Sequence, residues 1–352
     1  MRINLLVFHC LLTFCCQAQS WRIEKAELVC AQPPFNSCHA STLLEAPNGQ
    51  LLFAWFGGTA EGKDDVSIWF CRYAKGKYSA PVKLADGFIN DSLRYPTWNP
   101  VLFRERFSKN IYLFYKVGPN PREWWGMYIR SNNEGKTWSK PIRLPANILG
   151  PIKNKPFQLA NGDILFPSST EAENGRWQVH IEKTDPHLEK FTLIPVDSSS
   201  LFAVIQPSIV HHANGQLQLL CRSKQGAVAS AWSADQGRSW TQWQKTSLPN
   251  PNSGTDAIAL MHSTKQDQSL IVYNPDLPGR EWWEGRTKLR VALSADGLHW
   301  QDIAVLEDQQ TGEYSYPSVI QTRDRKVHIN YTYDRKNIKH VVLVKNDVLA
   351  NK

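Results

Sequence analysis

Two arginines, a tyrosine and a set of polar residues at the heads of apolar runs are the groups in this 352-residue chain best placed to do chemistry. Arg222 directly follows the apolar run Leu217 to Cys221, where a guanidinium is unfavourable unless something anionic meets it. Arg286 begins the run that leads to Ser294. His39, Asn99, Lys155, Gln206, Asp256 and Tyr316 each stand at the start of an apolar strand-like segment. A polar residue at a strand start is ordinary, but six on one rim would make a site. The segments Arg122-Glu123-Trp124-Trp125 and Arg280-Glu281-Trp282-Trp283 repeat one another, and their indoles could stack on sugar rings or simply pack the fold. The formal charge of +8 is scattered with no run of five basic residues, so a nucleic-acid tract is excluded and a solvated basic surface or an anionic substrate remains. No Cys-x-x-Cys, His-Glu-x-x-His or Gly-rich phosphate loop occurs, so neither a metal nor a nucleotide cofactor is expected.

Those residues need a scaffold, and internal repetition supplies it. Six apolar runs follow turns: 50–54, 111–115, 163–166, 216–220, 270–273 and 327–331, about 55 residues apart. Three of the turns are Asn-Gly (Asn48-Gly49, Asn161-Gly162, Asn214-Gly215), a strong hairpin signal because both residue types tolerate positive φ. Downstream recurs a second marker, in Ser131-Asn132-Asn133-Glu134-Gly135-Lys136-Thr137-Trp138, Ser233-Ala234-Asp235-Gln236-Gly237-Arg238-Ser239-Trp240 and the shorter Ser294-Ala295-Asp296-Gly297-Leu298-His299-Trp300. This is the Asp-box, in which Asp or Asn caps a tight turn, Gly takes positive φ and Trp packs between sheets. Worn copies fall at Gly76-Lys77-Tyr78 and from Thr184-Asp185 to Phe191, so each copy should end a third strand and begin a fourth.

Six four-stranded units without helical periodicity predict an all-β, six-bladed β-propeller. Trp21 to Val29 should pair with Val341-Val342-Leu343-Val344 to close the ring. The composition agrees: 42% hydrophobic residues, 20% charged, 14 Trp, 14 Phe and 11 Tyr give a real core and favour strands. In such a ring the innermost strands precede the hairpin turns, and their first residues converge on one face of the channel.

Residues 1–18 read as a signal peptide, with Arg2, an apolar stretch from Leu5 to Phe14 and a Cys16-Gln17-Ala18 cleavage site, leaving 19–352 as one propeller domain in the periplasm or outside the cell. Leu12-Thr13-Phe14 makes a poor lipoprotein signal, which argues against a lipid anchor on Cys15 or Cys16, and no later stretch is long enough to span a membrane. Cys30, Cys38, Cys71 and Cys221 then remain; Cys30 and Cys38 either pair or stay as buried thiols.

The sequence resembles the sialidase (neuraminidase) superfamily, and more closely its bacterial branch of exported Asp-box propellers. The likeness rests on the Asp-boxes and on the order of the remaining motifs. The family's first-strand Arg falls at His39 in Ser37-Cys38-His39-Ala40-Ser41-Thr42; its acidic loop matches Gly57-Gly58-Thr59-Ala60-Glu61-Gly62-Lys63-Asp64-Asp65. Its Glu-Pro is Gln206-Pro207, its strand-end Arg is Arg222, its Arg before an Asp-box is Arg286, and its Tyr motif is Tyr316-Pro317-Ser318-Val319. The resemblance implies hydrolysis of a terminal acidic sugar from a glycan. Tyr316 would be the nucleophile, Arg222 and Arg286 the carboxylate clamp, and Asp65 the acid/base, with Glu61 and Asp64 as rivals; a neutral phenol approaches a carboxylate-bearing centre without like-charge repulsion. Asn99, Lys155, Asp256 and Asp64 would line the substrate site. Two departures stand out: His39 for an arginine weakens a bidentate clamp, and Gln206 for a glutamate cannot take a proton from Tyr316. A lyase or hydrolase for another acidic sugar, with His39 and Tyr316 as acid/base, and a silent carbohydrate-binding propeller are the alternatives.

Overall fold

The computed structural model describes residues 21–346 except 198, 200, 262–267 and 282; the segment 1–18 read as a signal peptide, with Cys15 and Cys16, and Trp282 lie outside them. Among the described residues every regular element is a strand, and the strands form six sheets. Blade I is built on Ser37–Glu45, blade II on Thr97–Arg104, blade III on Phe157–Gln158, blade IV on Val204–His211, blade V on Asp256–Ala259 and blade VI on Tyr314–Gln321. These inner strands lie at one edge of their sheets, and those of blades IV, V, VI, I and II contact one another in turn around the ring. Blade I adds a further short strand, Val82–Ala85, beside Ser67–Ala74. Blade VI takes its outermost strand from the start of the chain: Trp21–Leu28 runs antiparallel to Asn337–Lys345, with Lys25 opposite Val342 and Ala26 opposite Val341.

Six hydrophobic layers lie between neighbouring blades, one for each pair around the ring. Leu52, Phe70, Leu113 and Tyr115 join blades I and II; Phe114 and Phe166 join II and III; Leu165 and Leu219 join III and IV. Leu220 and Ile271 join IV and V, Val272 and Ile329 join V and VI, and Ile320 with Phe53 and Trp55 joins VI to I. Among the described residues the sheet edges that face outward are those of the outermost strands, such as Trp21–Leu28 and Gln301–Asp308. Cys30 and Cys38 sit in the VI–I layer as free buried thiols, with Cys71 beside them, and Cys221 is likewise free and buried. The alternative of a Cys30–Cys38 disulfide is therefore not what the chain adopts.

The repeated signals do the work their chemistry predicts, with one difference. In the Asp-box of blade II, Gly135 N–H donates to Ser131 Oγ at 2.9 Å and Thr137 N–H to Asn133 Oδ1 at 2.9 Å, while the Trp138 ring meets Phe70 of blade I at 5.7 Å. Blade IV repeats the first bonds through Ser233 and Asp235. The Asn-Gly hairpins, however, are not two-residue turns with both residues at positive φ. Only the glycine is left-handed (Gly49 at +83°, Gly162 at +99°, Gly215 at +83°). Each closes a longer loop, such as Ala46 to Gln50, in which Asn48 Oδ1 accepts the Gln50 N–H at 3.0 Å. The asparagine side chain caps the turn, so its own backbone need not invert.

Candidate active site

Four of the inner strands carry the same irregularity near the end where they begin. One extra residue is inserted between His39 and Thr42, Trp98 and Val101, Ile205 and Ser208, and Ser315 and Ser318. The bulged residues Ala40, Asn99, Gln206 and Tyr316 have φ of +52°, +36°, +59° and +52°. A non-glycine residue held there is strained and persists only where its surroundings enforce it. Ala40, not His39, is thus the register equivalent of Gln206 and Tyr316.

The bulges of blades IV and VI bring Gln206 and Tyr316 together over the hub. Tyr316 Oη accepts a hydrogen bond from Arg222 Nη1 at 2.6 Å and another from Gln206 Nε2 at 3.3 Å. Arg222 Nη1 also lies 3.4 Å from Gln206 Oε1, and its Nε donates to Asn252 Oδ1 at 3.0 Å. The amide is thereby oriented with its oxygen toward the cation and its nitrogen toward the phenol. The Tyr316 proton must point elsewhere, because Gln206 offers it a donor. The Arg286 guanidinium is 6.0 Å from the centre of the Tyr316 ring, is almost fully buried, and donates to Glu313 Oε1 at 3.1 Å. Burial, followed by repulsion from Arg222, lowers the Arg286 pKa.

The structure assembles a third guanidinium that the sequence had not flagged. Arg335, in the turn between Val327–Tyr333 and Asn337–Lys345, donates Nε to Glu313 Oε2 at 2.6 Å and also engages Glu61. Glu313 therefore joins Arg286 and Arg335. Burial would raise its carboxyl, but the Arg335 and Arg286 guanidiniums outweigh burial and hold it well below the usual range. His39 is 1% exposed and does not act as a charged stand-in for an arginine. Burial and then Arg335 push its pKa far down, Nδ1 is hydrogen-bonded to Thr332 Oγ1 at 2.8 Å, and its ring packs 4.1 Å from that of Tyr316.

Lys153 was also missed. It lies in the irregular stretch before the two-residue inner strand of blade III, buried, with Nζ donating to Pro317 O at 2.7 Å, Asn154 Oδ1 at 2.9 Å and Thr255 O at 3.1 Å. Burial draws its pKa down to about 7. It ties blades III, V and VI together beneath the Tyr316 ring. By contrast, Lys155 and Asp256 pair with each other, and Asp256 accepts from Ser208 Oγ at 3.1 Å and Val319 N–H at 2.8 Å. Those partners lie two and three residues further along the strands than Gln206 and Tyr316, so this pair sits deeper in the channel. Asn99 is buried at its own bulge.

The acidic loop lies at the same end, since Leu51–Gly58 runs back antiparallel to Ser37–Glu45 and delivers 59–66 there. Within it Asp65 Oδ2 takes both the N–H (2.8 Å) and the Oγ–H (2.7 Å) of Thr59, Asp64 is exposed, and Glu61 meets Arg335. Of the repeated tryptophans, Trp124 is 8% exposed against Trp98, and Trp125 packs on Tyr95 under Arg143. Both serve packing; Trp283 is half exposed. Trp177 also faces this group, its ring 5.3 Å from the Arg222 guanidinium and 4.2 Å from Lys224 Nζ. Among the described residues there is no cluster of His, Cys, Asp and Glu fit for a metal ion, and no helix long and apolar enough to cross a membrane.

A six-bladed ring with Asp-box turns and a polar hub defines the sialidase-type propeller. Residues 49–329 match the BNR repeat-like domain, and the chain belongs to that family. Its fold is similar to a protein of unknown function from Dyadobacter fermentans, at 16% identity over 94% of this chain and 100% of that one, with a TM-score of 0.73. It is also similar to a Hadza microbial sialidase at 17% identity, 87% of this chain, 65% of that one and TM-score 0.72. A leech intramolecular trans-sialidase gives 13% identity, 92% and 70% coverage and TM-score 0.69. No curated protein matches the sequence.

Proposed function

We propose that the protein is an exported sialidase-like exo-glycosidase that removes a terminal acidic sugar from a glycan. The observation that carries this reading is the contact of Tyr316 Oη with Arg222, with Arg286 and Arg335 joined to Glu313 at the same end of the hub. Guanidinium groups in a partly buried setting suit a carboxylate, and a tyrosine at their centre is placed to attack the carbon that bears it. Tyr316→Phe and Arg222→Ala should each abolish release of acidic sugar, read by mass spectrometry on sialosides, uronate oligosaccharides and ulosonic-acid glycans, while the melting temperature stays close to that of the wild type. Full activity of Tyr316→Phe would remove the nucleophile assignment.

One observation favours a second reading. The neutral His39 imidazole lies against Tyr316, and Gln206 cannot accept the Tyr316 proton, as a lyase that uses a His/Tyr pair on a uronate would permit. Ultraviolet absorbance from an unsaturated product would identify that enzyme; a reducing sugar without it would identify the hydrolase. Binding without turnover would identify a carbohydrate-binding propeller.

A further inference from the structure

Expelling a glycosidic oxygen calls for a carboxyl that keeps its proton and faces the same cleft as the tyrosine. Of the acidic groups already described, Asp64 is exposed to solvent and the others in and beside its loop are committed elsewhere. Asp65 Oδ2 is occupied by the two Thr59 donors, Glu61 is clamped onto Arg335, and Glu313 bridges Arg335 and Arg286. Glu171 is different. It is the last residue of Ile164–Glu171, directly opposite Trp177 across the blade III hairpin, and the Trp177 ring is the one that meets Arg222 and Lys224. Arg222 in turn contacts the Tyr316 oxygen. Glu171 is only partly exposed and makes no hydrogen bond or ion pair to a described residue. The charged groups facing it are Arg222, Lys224, Arg122 and Glu61. Burial, helped by Glu61, outweighs the three cations and raises the carboxyl above its ordinary range.

We propose that Glu171 is the proton-donating carboxyl of the cleft, acting on the glycosidic oxygen of an acidic sugar whose carboxylate Arg222 holds. The assignment rests on the glycosidase reading above. The Glu171 proton passes to the glycosidic oxygen as the anomeric C–O bond breaks, and the bonding electron pair stays on that oxygen, which departs as an alcohol. Water then adds to the anomeric carbon and gives a proton back to Glu171, restoring the acid. Passage through a Tyr316 adduct leaves this balance unchanged. While ionised, Glu171 faces Arg222 and Lys224, which stabilise the charge it has just acquired.

The test compares Glu171→Gln with wild type on two glycosides of the same acidic sugar. One carries a 4-nitrophenyl group, whose departure needs no proton; the other is the natural oligosaccharide. The variant should lose at least about 100-fold in kcat/KM on the oligosaccharide and less than about 10-fold on the nitrophenyl glycoside. Because the acid acts only when protonated, wild-type activity should fall as pH rises through its pKa, and that fall should vanish in the variant. Equal losses on both substrates, with an unchanged melting temperature, would overturn the assignment, as would an unaffected oligosaccharide rate. The same substrate split in Glu61→Gln instead would transfer the role to Glu61 and overturn it as well. Wild-type protein that cleaves neither glycoside would defeat the glycosidase reading itself, a failure visible before any variant is made.

Discussion

Replacing Gln206 with glutamate reverses one hydrogen bond at the centre of the hub, and the structure gives the size of the effect. Gln206 Nε2 now donates to Tyr316 Oη at 3.3 Å, beside the 2.6 Å bond from Arg222. In Gln206→Glu the isosteric carboxylate becomes an acceptor for the phenolic proton. A hydrogen bond to a charged group contributes about 1.5–3 kcal/mol. Spent on a transition state in which the phenol gives up its proton, that corresponds to about 10–150-fold in kcat. The new carboxylate would also lie about 3.4 Å from Arg222 Nη1, in the place of Gln206 Oε1, and would compete with substrate for that guanidinium. KM should therefore rise while kcat increases. Initial rates on a 4-nitrophenyl glycoside of the acidic sugar, measured over a range of concentrations, separate the two parameters. The gain must disappear when Tyr316→Phe is added. An unchanged kcat in a folded variant, or a gain that survives loss of the Tyr316 hydroxyl, would refute the reasoning.

Three further outcomes follow from the charges around the hub and at the ring closure. Arg335→Met leaves the largely buried Glu313 with Arg286 and the Ser315 hydroxyl; breaking such a pair costs about 3 kcal/mol, read from the denaturant midpoint at constant m, and a loss under about 1 kcal/mol would contradict the pairing. The same variant should bind acidic glycan more weakly, which isothermal titration would show. His328 and His340 stack in blade VI, with Nδ1 of one 2.9 Å from Nε2 of the other and Tyr78 Oη 2.7 Å from His340 Nδ1. Burial lowers both, His328 to about 4, so each is neutral in the folded protein while the unfolded chain takes up protons below about 6.5. The stability they contribute is present above pH 6.5 and is lost as pH falls toward about 4. Melting temperature should drop between pH 7 and 5 and drop less in His328→Asn; a flat profile in the wild type would count against the neutral pair.

The ring was legible because its signals are local and repeated. Asn48-Gly49, Asn161-Gly162 and Asn214-Gly215 mark turns, Ser131 to Trp138 and its copies mark the third-to-fourth strand corners, and the six apolar runs that follow turns fix the number of blades. The site was legible where a residue stands at or beside the end of a repeated strand. Gln206, Arg222 and Tyr316 meet, with Arg286 and His39 beside them, as strand position suggested. Arg335 escaped because Asp334-Arg335-Lys336 has the composition of any solvated turn. Lys153 escaped because the inner strand of blade III is only the two residues Phe157–Gln158, so its beginning does not mark the depth of the rim, and the same fault placed Lys155 and Asp256 at the mouth. Glu171 ends an apolar strand in a sequence that gives no sign of what faces it.

The bulges explain why the fold and the chemistry can part company in this family. Asn99, Gln206 and Tyr316 each precede a proline (Pro100, Pro207, Pro317), whose missing N–H suits an interrupted ladder and whose ring restricts the residue before it. Positive φ at such positions costs about 1–3 kcal/mol each. The six interblade layers bear that cost, because every inner strand is held from both sides. The direction of each hub side chain is therefore set by backbone and packing, not by the side chain's own bonds. A residue there can change type, from an expected glutamate to Gln206, without unsettling the ring. A guanidinium absent from the first strand, where His39 stands, can be supplied by Arg335 from the last hairpin, provided Glu313 is there to hold it. The propeller thus determines where a ligand would be met, while the particular groups at the bulges and loop ends determine what is done to it.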